Sequence, residues 1–391
     1  MHRIKVLHVI TRLILGGAQE NTIYTVKGLE KFGYEVTLYT GPPLGPEGSL
    51  AGKARELGIH PVIIPSLRRN LHPVLDYASF STLLSLFKKN KYHIVHTHSS
   101  KAGILGRWAA RFSKTPVIVH TIHGLPFFPY QPPFLNFLYL NSERITAPIT
   151  DRIITVCEAM KLQALSAGVG KEHQYVTVYS GMELDPFLTA TPSSRLREKL
   201  GIKEGEVVIG KIARLFPLKG HEFVVKIAPE VIKKFPRVKF LLVGDGILRE
   251  KLREKIKKLK MEDKFIFAGL VPPEKIPDYL ALMDIVIHTS LREGLARVIP
   301  QAMAAGKPVV TWDLDGSGEI VREGETGFLI PSQEEKQLKR AILRLLENRE
   351  LREKMGRKGK KLVDPLFRKE EMARRIHEVY QELLKEKGVI K

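Results

Sequence analysis

The chain has 391 residues, 43% hydrophobic and 27% charged, with 63 Lys and Arg against 42 Asp and Glu and a formal net charge of +21. That length is too great for one ordinary core and predicts two domains, and the composition is that of a soluble globular protein. The single cysteine, Cys157, excludes an internal disulfide, and no Cys/His cluster has zinc spacing, which fits a reducing cytoplasm.

At the N-terminus, His2, Arg3 and Lys5 precede the apolar run "VLHVI" in the manner of a leader peptide. The run lasts about five residues before Thr11 and Arg12 interrupt it, too short for the apolar part of a signal sequence. No stretch approaches the roughly 18 apolar residues of a spanning helix, so the chain is expected to be neither secreted by this route nor integral. The excess of basic residues points to an anionic partner: nucleic acid, a membrane surface or a phosphorylated ligand. A Lys- and Glu-rich thermophile surface with surplus Lys explains the charge equally well.

Apolar runs then alternate with amphipathic segments. "KVLHVIT" (5–11) reads as a strand, and "QENTIYTVKGLEKF" (19–32) as a helix with Ile23, Val26, Leu29 and Phe32 near helical spacing. "EVTLYT" (35–40), "HPVIIP", "YHIVHTH", "TPVIVHT" and "DRIITVC" follow as strands, separated by helical patterns at 76–89, 101–111 and 158–167. Short apolar strands alternating with helices imply parallel sheets covered on both faces, the doubly wound α/β architecture that binds ligands at the carboxyl ends of its strands. Pro, Ser, Thr and charge crowd 180–206, which places a linker near 185–200. A second series begins there: strand 207–213, helix 220–234, strand 239–245, helix 248–259, strand 265–269, helix 274–283, strand 284–290, a helix after Glu293 and strand 307–312. Beyond Ile330 the pattern is helical and charged, ending in a long helix within 364–388 that starts after Pro365.

Several loops carry candidate chemistry. "TRLILGGAQ" puts Gly16-Gly17 at a strand-to-helix turn, where backbone N–H groups can approach an anion; such a pair also simply makes turns. "IARLFPLKG" places Arg214 directly after a strand, Lys219 five residues on and Gly220 at a helix start, the position of a diphosphate in this architecture. Two solvated loop cations are the alternative. In "HTSLREGLARVIPQAM", Glu293 stands in the loop, and the N–H groups of Gly294, Leu295 and Ala296 are expected to open a helix and bind phosphate. Pro300 must lie in or near its first turn, because an interior proline costs about 3 kcal/mol. Gln301 follows on the same mouth. "HTIHGLPFFPY" ends a strand with His120 and His123, and "HTHS" (96–99) ends the neighbouring one; together these histidines suggest a site containing a general base or a sugar ligand. In "WDLDG", Asp313 and Asp315 have a spacing some sugar transferases use for a divalent metal, but with no third ligand a loop-and-turn role is preferred. No RNP-like, helix-turn-helix or finger pattern accompanies the charge, so nucleic acid is not an expected partner.

The ordered set "GGAQ", "HTHSSKAGILGRWAA", "HTIHG", "SGMELDPF", "IARLFPLKG", "LLVGDG", "FAGLV", "SLREGLARVIPQAMAAGKPVV", "GSGEIV" and "GETGFLIP" resembles the family-4 retaining glycosyltransferases with the GT-B fold, over roughly residues 5–331. The resemblance implies two Rossmann-like doubly wound domains facing a cleft: 1–185 for the acceptor and 200–364 for the nucleotide-sugar donor, with a C-terminal helix, 365–391, returning to the first. By motif, Arg214, Lys219 and the 294–296 N–H groups would hold the donor diphosphate, and Gly16-Gly17 would approach it from the other domain. Glu293 and His123 would flank the donor sugar as the catalytic pair, and Val271 would lie near the nucleobase. The family's second acid, which usually takes the ribose hydroxyls, is here Gln301. An amide still accepts a hydrogen bond from a diol but without charge assistance, so weaker or altered donor binding is expected rather than lost chemistry.

The implied reaction is attack of an acceptor hydroxyl at the anomeric carbon, with the diphosphate leaving from the same face and its charge met by Arg214, Lys219 and backbone N–H groups. No metal or other cofactor is expected. A UDP-sugar is the expected donor by family frequency, with GDP-mannose still open. "LPFFPYQPPFLNFLYL" (125–140) gathers six aromatic residues near His123. With the basic charge, this suggests a lipid-linked or cell-envelope glycan acceptor and peripheral attachment at the inner face of the cell membrane; an ordinary aromatic core helix is the competing reading. A catalytically silent sugar-nucleotide-binding or regulatory subunit is the alternative function, resting on Gln301.

Overall fold

The computed structural model describes residues 3–44 and 48–391; His2, read above as part of a leader-like start, lies outside them. The chain divides into two compact units, Met1–Met182 with Phe367–Lys391, and Glu183–Leu366.

The first unit is built on β1 (Lys5–Arg12), β2 (Glu35–Gly41), β3 (Val62–Ile63), β4 (Ile94–His98), β5 (Val117–Ile122), β6 (Arg152–Thr155) and β7 (Tyr175–Thr177). They form one sheet in the order β3-β2-β1-β4-β5-β6-β7, every neighbouring pair parallel. The central strands are apolar on both faces because helices cover both: Val6, Leu7, Val9 and Ile10 of β1 are all completely buried. The helix Gly17–Glu30 buries Ile23, Val26 and Leu29 as their spacing predicts. Phe32 does not continue that stripe; it lies past the helix end, partly exposed, and stacks on His377 with ring centroids 4.2 Å apart.

The last helix, Lys369–Glu386, belongs to this unit and starts three residues later than a start directly after Pro365. Its buried stripe, Met372, Ala373, Ile376, Val379, Tyr380, Leu383 and Leu384, follows the 3.6-residue period and packs with Val6, Tyr24, Leu29 and Ile94. It approaches the helix Gly17–Glu30 so closely that a Cβ on Gly28 would stand 2.4 Å from the Cβ of Ala373, which no side chain allows. Further round the sheet, the helices Ser100–Phe112 and Pro133–Thr146 are joined by a fully buried ion pair, Arg107 to Glu143 at 2.6 Å, with Arg107 also donating to Gly103 O and Thr150 Oγ1. Those extra acceptors meet the guanidinium donors that burial strips of water.

The second unit contains β8 (Val207–Ile212), β9 (Val238–Val243), β10 (Phe265–Gly269), β11 (Ile285–His288), β12 (Val309–Trp312) and β13 (Gly327–Ile330), in the order β10-β9-β8-β11-β12-β13 and again parallel throughout. In both sheets the order reverses beside the first strand, between β1 and β4 and between β8 and β11, the crevice position for a ligand in this architecture. The sequence reading lacked β7 and β13. Both are edge strands of three and four residues, too short for a periodic signal.

Candidate functional site

In the second unit the reversal point gathers three strand-end loops. The loop after β8 carries Arg214 and Lys219 and ends in Gly220, where the helix His221–Lys234 begins. Gly220 has φ +68°, and a Cβ there would stand 1.8 Å from Thr289 O, so only glycine lets this loop lie against the one after β11. The two are tied by Leu291 N donating to Leu218 O at 2.8 Å and Thr289 Oγ1 donating to Gly220 O at 2.7 Å. The loop after β12 joins them: Glu293 N donates to Asp315 Oδ2 at 2.8 Å and Gly316 N to Gly294 O at 3.1 Å.

This framework delivers Lys219 Nζ to Glu293 Oε1 in a direct ion pair, the two side chains 21% and 27% exposed. Burial opposes the charge on Glu293, but the Lys219 ammonium beside it outweighs that and holds the carboxyl below its ordinary value. The site therefore presents an ionised acid and an ammonium on fixed loops. Arg214, on the same strand end, is exposed, with its guanidinium 5.1 Å above the Phe216 ring. Val271 is half-buried two residues beyond the end of β10.

One expectation about this region changes. Gly294, Leu295 and Ala296 do not open a helix: it runs Val298–Ala304, so their N–H groups belong to the preceding loop. Pro300 is the reason, because it sits in the first turn as the third helical residue, where its missing N–H is tolerated. Gln301 lies one residue further in and is half-buried. Asp313 and Asp315 form no paired ligand set: Asp315 takes a left-handed backbone, φ 52°, which breaks the extended run. Its carboxylate holds the Glu293 backbone instead.

Residues missed in the sequence lie beneath this pair. Lys211, the penultimate residue of β8, is 1% exposed and donates to Thr289 Oγ1 at 2.9 Å; burial, with the nearby Lys219 charge, pushes its ammonium down to about 7. His288 ends β11 with its Nε2 3.9 Å from Glu293 Oε1, and neither ring nitrogen has a hydrogen-bond partner among the described residues. Burial pushes it down to about 3 against the pull of Glu293, so the ring is neutral. A polar residue inside an otherwise apolar strand ("VVIGKIA", "DIVIHTS") was the signal that could have found both.

In the first unit, Gly16 and Gly17 are exposed at the start of the helix Gly17–Glu30, just past β1. His123 follows β5 directly and is half-buried; its Nε2 lies 3.0 Å from Nδ1 of His98, the last residue of β4. His120 is not at the mouth. It lies inside β5, 3% exposed and 2.9 Å from Thr97 Oγ1, because residues of a central parallel strand are buried on both faces. For the same reason His96 and His98 are completely buried, and "HTHS" packs behind His123 instead of lining a rim.

The aromatic segment is not an ordinary core helix. Phe134 is 70% exposed, Phe137 65% and Tyr130 53%, and the helix Pro133–Thr146 buries only Glu143 and Thr146. No helix among the described residues is long and apolar enough to cross a membrane.

Residues 15–185 match the family described as Glycosyltransferase Family 4, and residues 192–362 match Glycosyl transferases group 1. The chain is 28% identical over 353 residues to the UDP-Gal:alpha-D-GlcNAc-diphosphoundecaprenol alpha-1,3-galactosyltransferase of Escherichia coli, covering 89% of each chain. It is 25% identical over 337 residues to the capsular polysaccharide biosynthesis glycosyltransferase CapM of Staphylococcus aureus, covering 83% of this chain and 85% of the relative. Among solved structures, Anabaena Alr3699/HepE in complex with UDP shares the fold with a TM-score of 0.81 at 22% identity, over 97% of this chain and 100% of the other. Sucrose-phosphate synthase from Thermosynechococcus elongatus shares it with a TM-score of 0.81 at 21% identity, over 98% and 100%.

Proposed function

Because the chain belongs to the group 1, family-4 type of glycosyltransferases, with two parallel-sheet domains of the GT-B fold, we propose that it moves a sugar from a UDP-sugar to a hydroxyl of a lipid-linked or cell-envelope glycan, with retention of configuration. The observation that carries this reading is the Lys219–Glu293 pair at the reversal point of the second sheet, with Arg214 exposed on the same strand end. Lys219 and Arg214 meet the charge that grows on the departing diphosphate, and fixed cations at that place need no reorganisation during the reaction. Glu293 orients the donor sugar and balances the positive charge that develops at its anomeric carbon. A leaving phosphate oxygen takes the acceptor proton, so the reaction asks for no strong protein base and no metal. His123 contacts the donor sugar, Gln301 the ribose and Val271 the base, and the loop N–H groups of Gly294, Leu295 and Ala296 and those of Gly16 and Gly17 approach the diphosphate. The proposed UDP base is supported by the Escherichia coli relative, which is named for UDP-Gal.

A panel of UDP-, GDP- and ADP-sugars, read by thermal shift and by slow hydrolysis, tests the donor. At a hundred times its dissociation constant a ligand adds about 2.7 kcal/mol, or an upward shift of roughly 5–10 °C for a domain of this size. A UDP-sugar should give that shift; a panel with no shift and no hydrolysis would overturn the reading.

The lipid-linked acceptor and attachment to the inner membrane face are supported by the bare Phe134 and Phe137 and by the +21 charge, which together suit an anionic, apolar-cored surface. The intact chain should sediment with vesicles containing anionic lipid, and Phe134→Ser with Phe137→Ser should reduce the bound fraction several-fold. Absence of sedimentation with both anionic and neutral vesicles removes the membrane part. A silent binding subunit is the second reading, favoured only by Gln301, and the Glu293 variant discussed below separates it.

A further inference from the structure

Behind His123 a line of hydrogen bonds runs through the core of the first unit. His123 Nε2 meets His98 Nδ1 at 3.0 Å, and His98 Nε2 meets His8 Nδ1 at 2.8 Å. His8 Nε2 lies 3.3 Å from the Tyr380 hydroxyl, which lies 2.6 Å from His96 Nδ1; His96 Nε2 ends the line 2.6 Å from Thr121 Oγ1. His8, His96, His98 and Tyr380 are completely buried. Both ring nitrogens of His8, His96 and His98 are used in this line, each once.

We infer that Tyr380, on the C-terminal helix, determines which ring nitrogen of His123 carries the proton, acting through His8 and His98 as positioning residues. Burial holds His8 at about 3 and His96 and His98 well below their ordinary value, so each ring is neutral and owns one N–H and one lone pair. A line of such rings cannot mix directions: if one ring reverses, two N–H groups or two lone pairs face each other. The single hydroxyl proton of Tyr380 therefore selects the direction for all of them. Two hydroxyls stand 2.6 Å from His96, and a phenol is the stronger donor while an alcohol is the better acceptor, so Tyr380 donates to His96 Nδ1, His96 Nε2–H donates to Thr121 Oγ1, and the longer 3.3 Å contact is His8 Nε2–H to the poorly accepting phenol oxygen. His98 Nε2–H then donates to His8, and His123 Nε2–H donates to His98. His123 then carries its proton on Nε2 and its lone pair on Nδ1.

What His123 touches rests on the proposed function. Its tautomer does not, and it is read in the intact chain without donor. In 15N-histidine-labelled protein, His8, His98 and His123 should all be Nε2–H, with His123 assigned by the resonance lost in His123→Asn. In Tyr380→Phe, His8 Nε2 loses its acceptor. A buried N–H without a partner costs more than a buried lone pair, so the line reverses and all three rings become Nδ1–H. Tyr34→Phe is the control. It removes a hydroxyl that meets His377 and Gln381 on the same helix, outside the line, and should leave the His123 tautomer unchanged. Mixed tautomers among the three rings in the parent protein would overturn the inference even if Tyr380→Phe fails to fold, and an unchanged His123 in a folded Tyr380→Phe would do so too. The ring nitrogens of His8, His96 and His98 also lie within 4.8 Å of one another. Stoichiometric zinc in the purified chain, bound to these rings, would make the cluster a metal site and sink the relay. Turnover unchanged in Tyr380→Phe while the tautomers reverse as stated would count against the sugar contact alone.

Discussion

Glu293→Ala should lower turnover by about two to three orders of magnitude, the usual effect of removing one preorganised electrostatic group from a reacting centre. The side chain reaches its place from two directions: its backbone N–H is held by Asp315 and its carboxylate by Lys219. Alanine keeps the first and deletes the second, so the loops should stay and the charge should go. Stability should change little, because the pair is partly exposed and such pairs contribute at most about 1 kcal/mol. Lys219→Met strips Glu293 of the cation that offsets its burial, and its carboxyl should then rise from its lowered value. The two residues act as a unit, so Lys219→Met with Glu293→Ala should cost less than the sum of the single losses. Steady-state kinetics of the three variants, with circular dichroism to confirm folding, is the measurement. Turnover within threefold of the parent in a folded Glu293→Ala would favour the silent binding module; donor thermal shift retained with turnover lost favours the enzyme.

Lys211→Met should stabilise the second unit, and more at low pH than at high. The ammonium is pushed from its ordinary 10.5 to about 7 by burial in β8. Between those values the unfolded chain binds the proton and the folded chain does not, so parent stability rises with pH across that window and is lowest below about 7. At 1.36 kcal/mol per unit the penalty below pH 7 is roughly 4–5 kcal/mol. Losing the bond to Thr289 Oγ1 returns about 1 kcal/mol of this. Methionine has a similar length and no charge, so the variant should gain about 3–4 kcal/mol at pH 6. The gain should vanish at about pH 10 and give way to a loss of about 1 kcal/mol above it, as followed by urea unfolding at several pH values. An equal gain at every pH would mean that Lys211 is not charged in the unfolded reference as argued; a destabilised variant at pH 6 would refute the buried ammonium. A residue this costly beneath Glu293 and Lys219 marks a place where the fold gives up stability at a candidate site.

Both forecasts concern residues that the sequence treated unequally. Glu293, Lys219 and Arg214 were legible because they stand in loops after apolar runs, and strand-end loops carry the chemistry in parallel sheets. Lys211 and His288 are not legible, because each sits inside an apolar run, where a polar residue announces its own oddity but not its partners. His120 erred the other way: near a strand end on paper, it is a residue of β5 and faces the core.

The sequence by itself determined the alternation of parallel strands and helices, the break into two series and the loops that bear Glu293, Lys219 and His123, since all of these follow from periodicities within a few turns of chain. The tertiary structure alone decided the edge strands β7 and β13, the late start of the helix Val298–Ala304, the pairing of Lys219 with Glu293 and the line from Tyr380 through His8 to His123. Those depend on which residues meet across 74 positions in one case and 372 in the other. Hydrophobic spacing carries no record of such meetings, because burial and charge are settled only when distant segments close around each group.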